Sequence, residues 1–204
     1  MTSDQELDQA WWETRYRDGH APWDREGTSP ALHHWLDTGI LTRGRVLVPG
    51  CGRGHEVMQL ARLGYEVTAL DIAPTAIAFL TKQLKAEGLH AEVVQTDVFA
   101  WQPTCRYDVI YEQTSLCALP PAQWPEYVDR LHRWLRPGGD LFALFMQTGR
   151  PGGPPFHCEL SAMKRLFPPE RWQWRRGPAL EVPHSVGFVE KGYVLRRLAD
   201  RERQ

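Results

Sequence analysis

The sequence predicts an α/β fold: a Rossmann-like, mostly parallel sheet with helices on both faces. Three observations carry that expectation. Short β-rich runs alternate with helix-like segments from Val46 onward, the pattern of parallel strands joined by right-handed crossovers. The first run, RVLVPG, is continuously apolar and opens directly into a loop with glycine at positions 50, 52 and 54. The tail changes character, with two strand-like runs and no helix between them.

Taken in order, Arg45–Gly50 is the first strand, His55–Arg62 a short helix and YEVTALD the second strand. Pro74–Ala86 has proline near its start and Gly88 just past its end, as helices favour. HAEVVQTD and YDVIYE read as the third and fourth strands. A helix over Pro121–Leu135 presents Trp124, Tyr127, Val128, Leu131, Trp134 and Leu135 on one face. RPGG ends that helix and DLFALFM is the fifth strand. RWQWRRG and GFVEKGYVLRRL then form an antiparallel end to the sheet, and GRPGGPPF is a loop over a site.

A chain of 204 residues suits one domain, residues 1–204, burying roughly 70% of its unfolded surface. Residues 1–40 form an aromatic helical segment covering the site, and 41–204 the core. Net charge is −1, so no general field draws the chain to nucleic acid or anionic lipid. The acidic N-terminus lacks signal-peptide blocks, and no apolar run approaches the roughly 20 residues of a membrane span. A cytoplasmic monomer is expected. Cys51, Cys105, Cys117 and Cys158 lack CxxC spacing and read as free thiols.

Open parallel sheets bind ligands beyond the carboxyl ends of their strands. Glycine at 50, 52 and 54 supplies a backbone that a ligand can lie against. A nicotinamide fingerprint needs a third glycine where His55 stands, and no phosphate-loop GK[ST] follows. Asp71 closes the second strand, placed for ribose hydroxyls, and Asp97 the third, placed for an adenine amino group with Val98 beside the ring. A nucleoside cofactor without phosphates fits, namely S-adenosylmethionine. A nicotinamide oxidoreductase is the rival enzyme reading, and a cofactor-binding module without turnover the non-enzymatic one.

VLVPGCGRGHEV, VTALDIAPTAI, QTDVF and RPGGDL together resemble class I S-adenosylmethionine-dependent methyltransferases. WWETRYRDGHAPWDRE, YEQTSLCALPP and GGPPFHCELSAMKRLF narrow the likeness to the thiopurine S-methyltransferase family, with its thiol and halide methyltransferase relatives. The resemblance implies a seven-stranded sheet with one antiparallel strand. It implies cofactor contacts at Trp12, Tyr16, Trp23, Gly50, Cys51, Gly52, Gly54, Asp71, Ile72, Asp97, Val98 and Gln113, and acceptor contacts at Trp23, Gln113 and Phe156. The acceptor implied is a small soft nucleophile, a thiol first, with thiopurines, selenium species and halides as alternatives. Where mammalian thiopurine enzymes resemble WDR, this chain has Tyr111, Glu112 and Gln113. An amide does not replace a bidentate guanidinium, which disfavours a carboxylated acceptor. Glu112 either orients the cofactor's ammonium or caps its loop. H-x-E at His157–Glu159 lacks the P-C-x-x-C of a zinc deaminase, so no metal is expected.

Overall fold

The computed structural model describes residues 7–184 and 187–199. Its sheet runs β3-β2-β1-β4-β5-β8-β6, with β7 also paired to β8. The strands are β1 Arg45–Pro49, β2 Glu66–Asp71, β3 Glu92–Gln95, β4 Tyr107–Gln113, β5 Leu135–Gln147, β6 Trp172–Trp174, β7 Leu180–Pro183 and β8 Val189–Arg197. The first five are parallel, and β8 lies antiparallel against β5. Strand order reverses between β1 and β4, the place in an open parallel sheet where ligands bind beyond the strand ends.

Helices α2 (Pro30–Asp37), α3 (His55–Arg62) and α4 (Pro74–Glu87) cover one face, where Leu32, Trp35, Val57, Leu60 and Leu80 pack on Val46, Tyr111 and Phe142. Helices α5 (Trp124–Trp134) and α6 (Leu160–Leu166) cover the other. The apolar face predicted for α5 is buried at Trp124, Tyr127, Val128, Leu131 and Trp134. Gly88 ends α4 in the left-handed conformation, φ 64°, where a residue with a Cβ would be strained. Among the described residues, no helix is long and apolar enough to cross a membrane.

Four local expectations need correction. Pro121–Gln123 forms a 3-10 turn, and α5 begins only at Trp124. RPGG is no turn ahead of the fifth strand but a bulge within it. Leu135 pairs with Tyr107 and Asp140 with Val109, and the residues between loop out, held by Arg136 on Asp108 at 2.5 Å. The third strand stops at Gln95, leaving Asp97 in the following turn. Finally, β7 lay unread between the two predicted tail strands. It pairs with residues 189–192 of β8 while β6 pairs with residues 195–197, so the two short strands share one edge. The sheet thus has seven strand positions occupied by eight strands.

Candidate active site

At the end of β1, Gly50, Gly52 and Gly54 have φ of 58°, 54° and 77°, the left-handed region that disfavours other residues. Their bare faces are closely approached. A Cβ on Gly50 would lie 2.2 Å from Ser115 Oγ, on Gly52 2.8 Å from the Tyr16 hydroxyl, and on Gly54 2.4 Å from Leu80 Cδ1. Gly54 therefore serves the packing of α3 against α4. The loop is also tied down by hydrogen bonds. Cys51 N donates to Leu70 O at 2.8 Å, and Ser115 Oγ to Pro49 O at 2.6 Å.

Asp71 is buried at the end of β2, where Oδ2 accepts from Gly52 N at 2.8 Å and Oδ1 from Ala73 N at 2.9 Å. Burial raises its pKa against the pull of those donors. Each oxygen keeps an acceptor site, so the carboxylate can hold the loop and still bind two hydroxyls. Thr96 N donates to Asp71 O at 2.9 Å, which sets the turn bearing Asp97 beside it. Asp97 is exposed, its Oδ1 accepting from Phe99 N at 2.8 Å, while Val98 leans on the core of the α5 face. Ile72 is half-buried between Asp71 and Ala73.

The N-terminal segment closes over this loop. Helix α1, Gln9–Arg17, docks through Glu13, whose carboxylate accepts from Thr75 N at 2.9 Å and Thr75 Oγ1 at 2.6 Å at the start of α4. Tyr16 packs on Ala73 and Ala76, and Trp23 Nε1 donates to its hydroxyl at 3.1 Å. Trp23 meets Trp12 and Tyr16 edge-on, with centroids 5.3 and 5.7 Å away. The three aromatic residues singled out in this segment thus form one chain of ring contacts, of which Tyr16 reaches Gly52. Trp11 turns elsewhere, beneath the Arg15 guanidinium.

His55 opens α3, and its Nε2 lies 2.8 Å from Asp24 Oδ1, with Arg53 3.3 Å from Asp24 Oδ2. The side chain that replaces a third glycine therefore anchors the N-terminal segment to the glycine loop. The Asp24 hydrogen bond raises the His55 pKa against the effect of burial. Burial pushes Asp24 up, but His55 and the Glu26 N–H outweigh it and leave it below the usual range. His55's stabilisation is complete below its unfolded pKa of about 6.5 and is lost as pH rises through the raised value. Asp24's is lost as pH falls through its lowered one. Hydrogen-exchange protection of residues 20–27 is accordingly expected to drop on the alkaline side of the His55 titration, and His55→Gln to remove that step. A step surviving in the variant would place the sensor elsewhere.

At the end of β4, Tyr111 donates to Gln113 Oε1 at 2.8 Å, and Gln113 Nε2 faces Glu190 Oε2 at 3.4 Å. Arg25 crosses from the N-terminal segment, donating to Glu190 Oε2 at 2.7 Å and Pro183 O at 2.6 Å. Thr114 follows with φ 61°, a strained conformation for a β-branched residue. The structure thus brings together the glycine loop, Asp71, the aromatic trio and Gln113 around the switch point, with Asp97 and Val98 at its rim.

The thiopurine S-methyltransferase family model matches residues 7–184, most of the described chain. The chain belongs to the thiopurine S-methyltransferase family. It is 35% identical over 161 residues to the probable thiol methyltransferase 2 of Arabidopsis thaliana, covering 78% of this chain and 71% of that one. Thiocyanate methyltransferase 1 of the same plant is 33% identical over 185 residues, 88% and 80% of the two chains. The fold matches the Burkholderia thailandensis 1,6-didemethyltoxoflavin-N1-methyltransferase, solved with S-adenosylhomocysteine, at a TM-score of 0.75 and 19% identity over 94% and 87% of the chains. The protein is an S-adenosylmethionine-dependent S-methyltransferase of class I fold.

Within this methyltransferase, Glu112 caps its loop through Oε1, which accepts from Leu116 N at 2.6 Å, while Oε2 is buried with no hydrogen-bond partner and burial pushes the pKa up to about 8. Cys51, Cys117 and Cys158 are buried, and burial raises each thiol pKa, which leaves them protonated and inert. Phe156 is half-buried, its N–H donating to Cys117 O at 2.7 Å. His157 Nδ1 accepts from Thr148 N at 3.1 Å and Gly149 N at 3.3 Å, which fixes the loop after β5. Sequence reasoning missed Glu13, Asp24, Arg25, Ser115 and Glu190. For Asp24 and Arg25 a signal existed in the WDRE that follows the aromatic run.

Proposed function

We propose that the enzyme methylates a small thiol, with the adenosine lying along Gly50–Gly52, its ribose on Asp71, its base near Asp97 and Val98, and Ile72 flanking it. The observation that carries this reading is the Tyr16 hydroxyl against Gly52, whose N–H is held by Asp71, with Trp23 packed on Tyr16 and Trp12 on Trp23. A left-handed loop free of side chains, a buried acid with acceptor capacity to spare and an aromatic cluster suit a cationic nucleoside. The cofactor supplies an electrophilic methyl group on a sulfonium. The chain aligns the two reactants, which is worth roughly 7–11 kcal/mol of the barrier. Trp23, Gln113 and Phe156 border the acceptor side in this reading. The Arg25 guanidinium, which shares Glu190 with Gln113, is already engaged by that carboxylate, which disfavours a carboxylated acceptor.

The proposal includes a single domain over residues 1–204, acting as a monomer in the cytoplasm without nucleic acid or membrane partners; the near-neutral charge supports it. Release of S-adenosylhomocysteine should be followed with hydrosulfide, methanethiol, aromatic thiols, thiopurines, selenite and iodide. Turnover of small thiols above thiopurines is expected, and turnover of thiopurines alone would defeat the acceptor assignment.

Trp23 provides a sharper test. Trp23→Ala should weaken S-adenosylmethionine binding about tenfold, the effect of losing an aromatic face from a partly desolvated cation. Binding of the uncharged S-adenosylhomocysteine should change less, and thermal stability little. Equal losses for both ligands would mean that the ring only packs.

A further inference from the structure

Glu190 lies on β8 opposite Met146, one residue from the carboxyl end of β5 and two residues along β8 from Gly192, which shares a row with Leu144 and Gln113. Its side chain is 0% exposed. Oε2 is shared by Arg25 and Gln113, but Oε1 is buried with no hydrogen-bond partner. A buried carboxylate oxygen left unpaired is costly, and such a group in a native fold calls for a reason. Gln113 links it to the proposed acceptor side, since the amide is oriented by Tyr111 with its NH2 toward Glu190.

Building on the thiol reading above, we propose that Glu190 Oε1 receives the proton of the thiol acceptor. As the proton moves from sulfur to Oε1, the freed electron pair forms the new bond to the methyl carbon. The bond from that carbon to the donor sulfonium breaks and returns its pair to the donor sulfur. Glu190 is left as the acid and yields its proton to water when the site reopens. The carboxylate's negative charge and the sulfonium's positive charge cancel in the step while Arg25 stays cationic, so the net charge of protein cluster, cofactor and acceptor together is unchanged. That constancy matters where isolated charges are costly. Arg25 is only 14% exposed at its side chain and sits on the loop that carries Trp23. Opening of that loop would admit the acceptor and uncover Oε1 together.

The surroundings poise the group. Burial pushes Glu190 up to about 7, opposed by Arg25 from the N-terminal segment and by Gln113, and reinforced by Glu56 of α3. Glu112 and Tyr111 of β4, and the Cys117 and Cys158 thiols, also feel its charge. A base near the working pH is the efficient one.

The test uses the full chain with methanethiol, an acceptor that must lose a proton, and iodide, which has none. For the wild type, kcat/KM for methanethiol should rise about tenfold per pH unit below about 7 and level off above it, while iodide lacks that step. A rise continuing toward the thiol's own pKa, at or above about 8.5, would mean that thiolate is taken from solution and would overturn the proposal. In Glu190→Gln the methanethiol-to-iodide ratio of kcat/KM should fall about 100-fold, with folding confirmed by S-adenosylhomocysteine affinity. An equal loss for both acceptors would reduce Glu190 to a structural latch. If Glu190→Gln does not fold, the wild-type profile decides alone. A wild type that turns over other acceptors but neither of these two would remove the thiol reading as well.

Discussion

Replacing Asp71 with alanine is expected to abolish tight cofactor binding and to destabilise the fold by about 2–6 kcal/mol, because two N–H donors, one buried and one part-buried, lose their acceptor at about 1–3 kcal/mol each. Those donors are Gly52 N and Ala73 N, at 2.8 and 2.9 Å, so one carboxylate ties the glycine loop to the start of α4. Asp71→Asn separates the two functions. The amide keeps the shape and one acceptor, yet turns an NH2 toward a donor and loses the charge that strengthens ribose hydrogen bonds. S-adenosylhomocysteine affinity should fall at least about 100-fold in the asparagine variant, since hydrogen bonds to a charged group contribute about 1.5–3 kcal/mol each. Asparagine binding as tightly as wild type would show that the acid only braces the loop. Because burial raises the Asp71 pKa, the wild type should also lose affinity as pH falls through that raised value.

The parallel half of the fold was legible because its signals are local. RVLVPG, YEVTALD and the proline-to-glycine span of α4 each carry their own start and stop, and the structure places them within a residue or two of the expected bounds. The errors fall where tertiary pairing overrules local chemistry. Pro and two glycines in RPGG read as a turn, but β4 recruits the flanking residues into one bulged strand. LEVP of β7 is too short to stand out, and it exists as a strand because the edge of β8 beside it was left unpaired by β6. Neither fact is written in the segment itself.

The site divides in the same way. The glycines, Asp71 and the aromatic residues of the first turns are motif positions, whose type follows from what a ligand needs. His55 was informative as a departure, yet its partner Asp24 is 31 positions away and could not be paired from spacing. Arg25 and Glu190, 165 positions apart, meet only because β8 runs antiparallel and begins where β4 ends. Asp97 shows the converse. The sequence pattern has it closing the third strand, but β3 ends at Gln95 and leaves it exposed in the turn that follows.

Gly52→Ala should damage the site through its aromatic cover. With φ at 54°, any Cβ there costs about 1–2 kcal/mol from the backbone alone. The added carbon also lands 2.8 Å from the Tyr16 hydroxyl, a distance at which the ring must shift. Tyr16 cannot move by itself, because it is packed on Ala73 and Ala76 and holds Trp23 through its hydroxyl. The displacement is therefore passed to the aromatic cover, where a misplacement of about 1 Å can lower kcat/KM about 100-fold. Tyr16→Phe in the Gly52→Ala background removes the clashing oxygen and should restore part of the lost affinity, leaving the backbone strain. The two changes should thus be strongly non-additive in a double-mutant cycle, as expected for residues in contact. Additive losses would place the damage in the loop conformation, and an undiminished affinity in Gly52→Ala would mean that the bare loop is not what admits the nucleoside.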